Sequence, residues 1–244
     1  MRLCCEPDLS AVRRLLGMRD RVDEETQKVM DEELAVLRKL VKPIALVQNI
    51  RADEAFHAPM RCAGGEEAPG GSKCSVRGKG MSAASKCSLG DQHAITADLF
   101  QTGEEMLAVL LTVGTAGDYV AELFSAGGHL RALVADALLG AWLFAMDEAV
   151  QREIGRWCTE HGFGVCRRLE APEDFPGELQ RVICKRLDSE RRAGVHVNDG
   201  CMLVPEKSMC YLLRLDRDCG RLAMGHDCAR CGRRDCGARM CTVR

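Results

Sequence analysis

The run "ALVADALLGAWLFAM", from Ala132 to Met146, decides most of what this chain can become. It falls short of the ~20 residues that a membrane crossing needs, and Asp136 interrupts it. It therefore reads as a core helix, apolar on too many sides to stand alone, and the other elements must pack around it. Burying Asp136 in such a helix costs on the order of 2–7 kcal/mol unless it finds donors, so a structural hydrogen bond is expected there. At 244 residues the chain is long for one domain and short for two, and 46% hydrophobic content is enough for a real core.

Around the core helix the periodicity changes repeatedly. A short helix is predicted at Leu9–Leu16, stopped by Gly17. Asp23 is placed to cap a second, with Glu24 and Glu25 in its first turn. Val29, Met30, Leu34, Leu37 and Val41 follow at helical spacing, and Pro43 ends the run. "IALVQNI" and "EMLAVLLTV" read as strands, with short helices near Ala94–Phe100 and Gly117–Phe124 and the core helix from about His129 to Cys158. A strand "FGVCRRL", a helix "GELQRVICKRLD" and strands near "VHV" and "MCYLLRL" complete the chain. Strands and helices mix without βαβ order, which predicts an α+β fold. The divisions are 1–50, a helical segment with the first strand; 51–92, a Gly/Ser-rich loop or insertion carrying Cys62, Cys74 and Cys87; 93–218, the main core; and 219–244, a Cys-rich tail. There is no internal repeat, phosphate-binding glycine loop, G-x-S-x-G or H-E-x-x-H.

A net charge of −2 gives no general attraction to nucleic acid or anionic lipid, and two Trp with two Tyr provide few stacking platforms for bases. Neither nucleic acid nor membrane is expected as a partner. The opening "MRLCCEPDLSAVRRLL" carries Glu6 and Asp8 where a secretory signal needs an apolar run. Fifteen cysteines, an odd number, then suit reduced thiols and a cytoplasmic location. Cys158, Cys184 and Cys210 lie in apolar-periodic stretches and are expected as small buried hydrophobes.

Four further thiols fall close together at the end, in "HDCARCGRRDCGARMC". Cys228, Cys231, Cys236 and Cys241 give C-x2-C-x4-C-x4-C, and a C-x-x-C turn places two sulfurs on one metal or cluster edge. Structural zinc normally uses two such knuckles a dozen or more residues apart. The compact spacing suits an Fe–S cluster better, with zinc as the alternative and a metal-free tail as a third reading. Gly232 and Gly237 would admit backbone amides to the cluster, and Arg230, Arg233, Arg234 and Arg239 would offset its charge. Cys241 is the simplest fourth ligand, with Cys219 and His226 behind it. Such a centre would tie down a tail that, as a short mobile arm, could approach a partner.

The segments "AVRRLLGMR", "MDEELAVLRKLVKPIALV", "EMLAVLLTVGTAGDYV", "LRALVADALLGAW", "PGELQRVICKRL" and "NDGCMLVPEKSMCYLLRL", together with the terminal "CARCGRRDCGAR", resemble in order and spacing the stand-alone relatives of the cobalamin-dependent methionine synthase activation domain. Only the insertion lacks a counterpart. The resemblance implies a twisted antiparallel sheet flanked by helices, with a Cys-rich metal-binding tail. It also implies a role beside a corrinoid-binding methionine synthase component, supporting reductive methylation of cob(II)alamin with S-adenosylmethionine as methyl donor. The family's R-x-x-x-G-Y signature falls on Arg167, but Ala171 and Pro172 replace its Gly and Tyr, and Phe144 stands where a ligand-contacting Glu is expected. Arg167, Thr112 and Gly114 are the cofactor-binding candidates, Ser208 resembles a family position at a strand entry, and no catalytic residue is assigned. An accessory protein without a complete active site is expected. The alternatives are a metal-stapled docking module for a corrinoid protein, and an S-adenosylmethionine-dependent enzyme on an unrelated substrate.

Overall fold

The computed structural model describes residues 5–18, 22–52, 100, 103–229, 231 and 236. Cys62, Cys74 and Cys87, the helix expected near 94–100 apart from Phe100, and Cys241 with its neighbouring glycines and arginines lie outside the described residues. Two capped helices begin the chain. In α1 (Leu9–Leu15) the Asp8 carboxylate accepts the Ser10 amide at 2.8 Å, and in α2 (Glu24–Leu40) Asp23 accepts the Thr26 amide at 2.8 Å. Each cap satisfies an amide that the first helical turn leaves without an acceptor.

Four strands, β1 (Ile44–Arg51), β2 (Glu105–Thr112), β3 (Gly164–Leu169) and β6 (Ser208–Asp216), form an antiparallel sheet in the order β1-β2-β6-β3. The central strand β2 is apolar at every position from Met106 to Leu111 because both faces of the sheet are covered. Alternation along it builds two cores. Leu107, Val109 and Leu111 join Tyr211, Leu213 and Leu215 of β6 beneath α1, α2, α3 (Ala116–Ser125) and α4 (His129–His161). Met106, Ala108 and Leu110 join Cys210 and Leu212 beneath α5 (Leu179–Leu187). Beside α5 lie a short helix α6 (Ser189–Ala193) and a two-stranded ribbon of β4 (His196–Val197) with β5 (Leu203–Val204). The sequence pattern did not mark α6 or β5. The fold is a mixed α+β arrangement, and β1 belongs to the same sheet as the strands that follow the insertion. Cys158, Cys184 and Cys210 are buried, as expected.

The core helix is α4, but it is not sheathed on all sides. Leu133 is exposed, and Asp136 lies on the same outer surface, where its carboxylate pairs with Lys207 Nζ at 2.7 Å while 49% exposed. The expected buried hydrogen bond of Asp136 is thus an ion pair at the surface. A helix lying on a sheet buries a stripe, and Asp136 falls outside that stripe. The buried acid on α4 is Asp147, just past the apolar run. A second buried acid, Glu33 on α2, takes the Tyr119 hydroxyl at 2.8 Å and an Arg131 guanidinium nitrogen at 2.6 Å, tying α2, α3 and α4 together. Among the described residues, no helix is long and apolar enough to cross a membrane.

The first residues after β6 are held by backbone pairing. The Val165 amide donates to the Arg221 carbonyl at 2.8 Å, and the Ala223 amide returns to the Val165 carbonyl at 2.8 Å. This parallel bridge covers the open edge of β3. The crossing is possible only over a glycine: a Cβ on Gly164 would stand 1.6 Å from the Cys219 carbonyl oxygen. Gly164→Ala should therefore cost about 1–3 kcal/mol or more through backbone displacement. Gly220→Ala, with nothing within 4 Å, should be near neutral. Thermal unfolding with limited proteolysis checks this: an unchanged melting temperature and cleavage pattern in Gly164→Ala would count against the crossing.

Candidate functional site

Strand β3 aims its charged residues by a defect in its pairing. Its register against β6 shifts between Val165 and Arg167, so one extra residue is accommodated there. Val165 faces the α4 side of the sheet and Leu169 the α5 side, although an unbroken strand would point them to the same face. The shift turns Arg168 toward α4, into the core, and sends Arg167 to the other face.

Arg168 is a guanidinium in an apolar interior, with its side chain only 3% exposed. One terminal nitrogen donates to Asp147 Oδ2 at 2.7 Å and to the Met224 carbonyl at 3.3 Å. Nε donates to Glu170 Oε1 at 2.9 Å, and the other terminal nitrogen reaches the same oxygen at 2.7 Å. The guanidinium carbon lies 3.6 Å from the centre of the Tyr211 ring. The Tyr211 hydroxyl donates to Asp147 Oδ1 at 2.7 Å, and Gln151 donates to Oδ2 at 2.8 Å. Burial works against the arginine's charge, but Asp147 and then Glu170 outweigh it and raise its pKa. Tyr211 is pushed up by burial and by the neighbouring carboxylate. A buried charge is tolerable when it is paired and its donors are satisfied, and this one is.

Glu170 carries the network to the surface. Its second oxygen meets His226 Nδ1 on the segment beyond β6. Burial alone would lower the pKa of His226, but Glu170 and Cys231 push it up to about 9. Between His226 and Cys231 the chain makes a tight turn. The Asp227 carbonyl accepts the Cys231 amide at 3.1 Å, and its carboxylate accepts the Ala229 amide at 3.0 Å. A cleft of about 560 Å³ opens here between β3, the loop after it and the C-terminal segment. Arg167, Arg168, Glu170, Asp174, His226 and Cys231 are among its lining.

Of the residues singled out from sequence, Arg167 and Cys231 come together in this cleft. The Arg167 guanidinium is paired with Asp174, whose other oxygen accepts the Glu170 amide at 3.0 Å. Thr112 and Gly114 do not line it. Thr112 is fully buried, its hydroxyl accepting the Gly114 amide at 3.0 Å and the Ser208 hydroxyl at 2.9 Å. Gly114, with φ +73°, makes the left-handed turn that follows β2 and packs on Lys42. Ser208 stands at the entry of β6, and Phe144 is half-buried on α4. Cys228 and Cys236 are half-buried, and Cys219 lies against Cys166, whose thiol is pushed up to about 12 by burial and by that contact. Among the described residues, no three His, Cys, Asp or Glu side chains are gathered closely enough to hold a metal ion by themselves; Cys241 lies outside them.

The pattern-based reading missed Arg168, Glu170 and Asp147. The signal for Asp147 was present: it falls four residues after Leu143 and three before Val150, on the buried stripe of α4. An acid at a stripe position needs a buried cation, and Arg168 is that cation. No family model matches the chain, and no curated protein does.

Removing one partner from such a pair leaves the other charge buried and unpaired. Asp147→Asn should therefore cost ~3–5 kcal/mol. Asp136→Asn, which breaks a pair at the surface, should cost ~1 kcal/mol or less. Urea denaturation of the two variants provides the comparison, and equal losses would contradict the network.

Proposed function

We propose that this chain is an accessory protein of cobalamin-dependent methionine synthesis, acting in the cytoplasm beside a separate corrinoid-binding component. It would support the reductive methylation that rescues cob(II)alamin. The observation that carries this reading is the shared cleft. Arg167, which the family resemblance assigns to ligand binding, and Cys231, from the terminal thiol cluster, line the same cavity although they lie far apart in sequence. The α+β fold with its four-stranded antiparallel sheet agrees with the architecture that the resemblance implies.

Cys228, Cys231, Cys236 and Cys241 would hold an Fe–S cluster, with zinc as the alternative. The donor chemistry fits: two thiols share one tight turn beside an imidazole. A bound cluster would supply one electron at low potential. The chain's own groups do the positioning: Glu170 and Arg168 fix His226 against the turn, and the Val165–Leu222 bridge fixes the segment that carries it. Bridge and turn also suit a zinc-stapled docking module, which metal content distinguishes. Anaerobically prepared protein should contain iron with acid-labile sulfide, and Cys231→Ser should lose most of it. Reduced protein, mixed with a cob(II)alamin-loaded corrinoid domain and a methyl donor, should yield methylcobalamin, and Cys228→Ser should not. Stoichiometric zinc without iron, or equal rates for the two proteins, would leave the tail a structural staple.

S-adenosylmethionine should bind weakly. Its carboxylate would compete with Asp174 for Arg167, while Ala171, Pro172 and Phe144 replace features of the family's pocket. Loss of one charge-assisted hydrogen bond weakens binding by ~1.5–3 kcal/mol, one to two orders of magnitude. Calorimetry giving a low-micromolar dissociation constant would instead favour an S-adenosylmethionine-dependent enzyme.

A further inference from the structure

We propose that Cys166 and Cys219 form a redox pair, which a low-molecular-weight disulfide converts to an intrachain disulfide that locks the segment beyond β6 onto β3. The crossing at Gly164 brings the two residues together. The Cys219 backbone fills the place of a Gly164 side chain, since a Cβ there would stand 1.6 Å from its carbonyl oxygen and 2.6 Å from its carbonyl carbon. Alternate residues of a strand share a face, so Cys166 projects to the side on which Cys219 crosses. The Cys219 thiol is turned toward the strand. Its sulfur lies 3.9 Å from the Arg221 carbonyl oxygen, which accepts the Val165 amide at 2.8 Å. The Arg221 guanidinium donates back to the Cys166 carbonyl at 3.1 Å, so contacts from one short segment surround both cysteines. A disulfide needs Cα atoms roughly 4.4–6.8 Å apart, the spacing of neighbouring strands. The pairing shift of β3 falls at Cys166, which has no counterpart on β6, so its backbone can adjust to the bond without breaking the ladder.

Both thiols are free and half-buried, unlike Cys158, Cys184 and Cys210, which are sealed in the cores. Cys166 lines the cleft, which gives a small disulfide its access. The Cys219 thiolate attacks one sulfur of that disulfide and releases the first small thiol; the Cys166 thiol then displaces the second. One S–S bond breaks and one forms, two protein thiols are oxidised, and both protons leave on the released thiols. This order agrees with the two acidities: the neighbouring thiol and Arg221 lower the pKa of Cys219, while burial raises that of Cys166. The consequence is mechanical. In the reduced protein the crossing is held to β3 by two backbone bonds at Val165, and such a segment opens locally. The disulfide fixes it, and with it Arg221 and Ala223, which form one wall of the cleft. In a reducing compartment the bond is transient, as a switch requires. The proposal stands apart from the metal reading of the tail, because neither cysteine belongs to the set Cys228, Cys231, Cys236 and Cys241.

The test equilibrates the full chain in glutathione buffers of increasing disulfide content, blocks free thiols by alkylation and digests it without reduction. Mass spectrometry of the wild type should find a cross-linked peptide joining Cys166 to Cys219, two hydrogens lighter than the separate peptides and abolished by reductant. This measurement needs no variant. In Cys166→Ser, glutathione should remain on Cys219 as a mixed disulfide, with circular dichroism checking that the variant is folded. Brief proteolysis of the native protein at Arg217 and Arg221 should slow by ~10-fold or more on oxidation of the wild type and be unchanged by oxidation of Cys166→Ser. Both cysteines alkylated at every buffer ratio, or Cys219 joined to a different cysteine, overturns the pair. A cross-link that forms without slowing proteolysis overturns the locking of the segment.

Discussion

The buried contact between Arg168 and Asp147 is the constraint on which the rest of this structure depends. It joins the long helix α4 to the edge strand β3 across the main core, where a lone charge of either sign would be intolerable. Because the guanidinium is planar and carries five donors, it reaches Asp147 and the Met224 carbonyl on one side and Glu170 on the other. Lysine could not replace it, since a single ammonium cannot span both carboxylates while lying flat on Tyr211. The segment beyond β6 is therefore located by an interaction in the core as well as by strand pairing.

That dependence starts from a one-residue irregularity. If β3 paired with β6 without the shift after Val165, Arg168 would turn to the α5 side and Arg167 toward α4. The buried charge network, the orientation of Glu170 and the cleft would all be lost together. An edge strand can accept such a defect because only one side of its ladder is bound by regular pairing. The same edge would be open to pairing with another chain, and the Arg221–Ala223 crossing closes it.

Much of the architecture was legible in the sequence because it depends on local chemistry. Asp23 caps its helix from the adjacent position, and the apolar run of β2 requires cover on both faces wherever it lies. The site was legible only in fragments. Arg167 and Cys231 could each be singled out, but their common cleft follows from the path of the chain after β6, which no periodicity encodes. Asp136 drew attention because it interrupts an apolar run, yet only helical phase distinguishes it from Asp147. Thr112 lies at a strand end, where ligands are often met, but its hydroxyl closes the Gly114 turn and receives Ser208. Arg168 sits beside Arg167 in a pair that reads as solvated charge. The bulge that buries one and sends the other to the opposite face is a property of pairing with β6, which lies far along the chain.

The terminal position of the thiols suggested a mobile arm carrying a metal centre toward its partner. Up to the turn at Asp227 the structure argues for the opposite arrangement. Backbone bonds at Val165, the close passage over Gly164 and the grip of Glu170 on His226 place the Cys228–Cys231 turn against the cleft. On the proposed function, the corrinoid would then be brought to the thiols. A fixed donor also makes transfer sensitive to docking geometry, whereas a tethered arm would tolerate many orientations. The buried arginine would in that case set the distance between the metal centre and the partner's cobalt, although it touches neither.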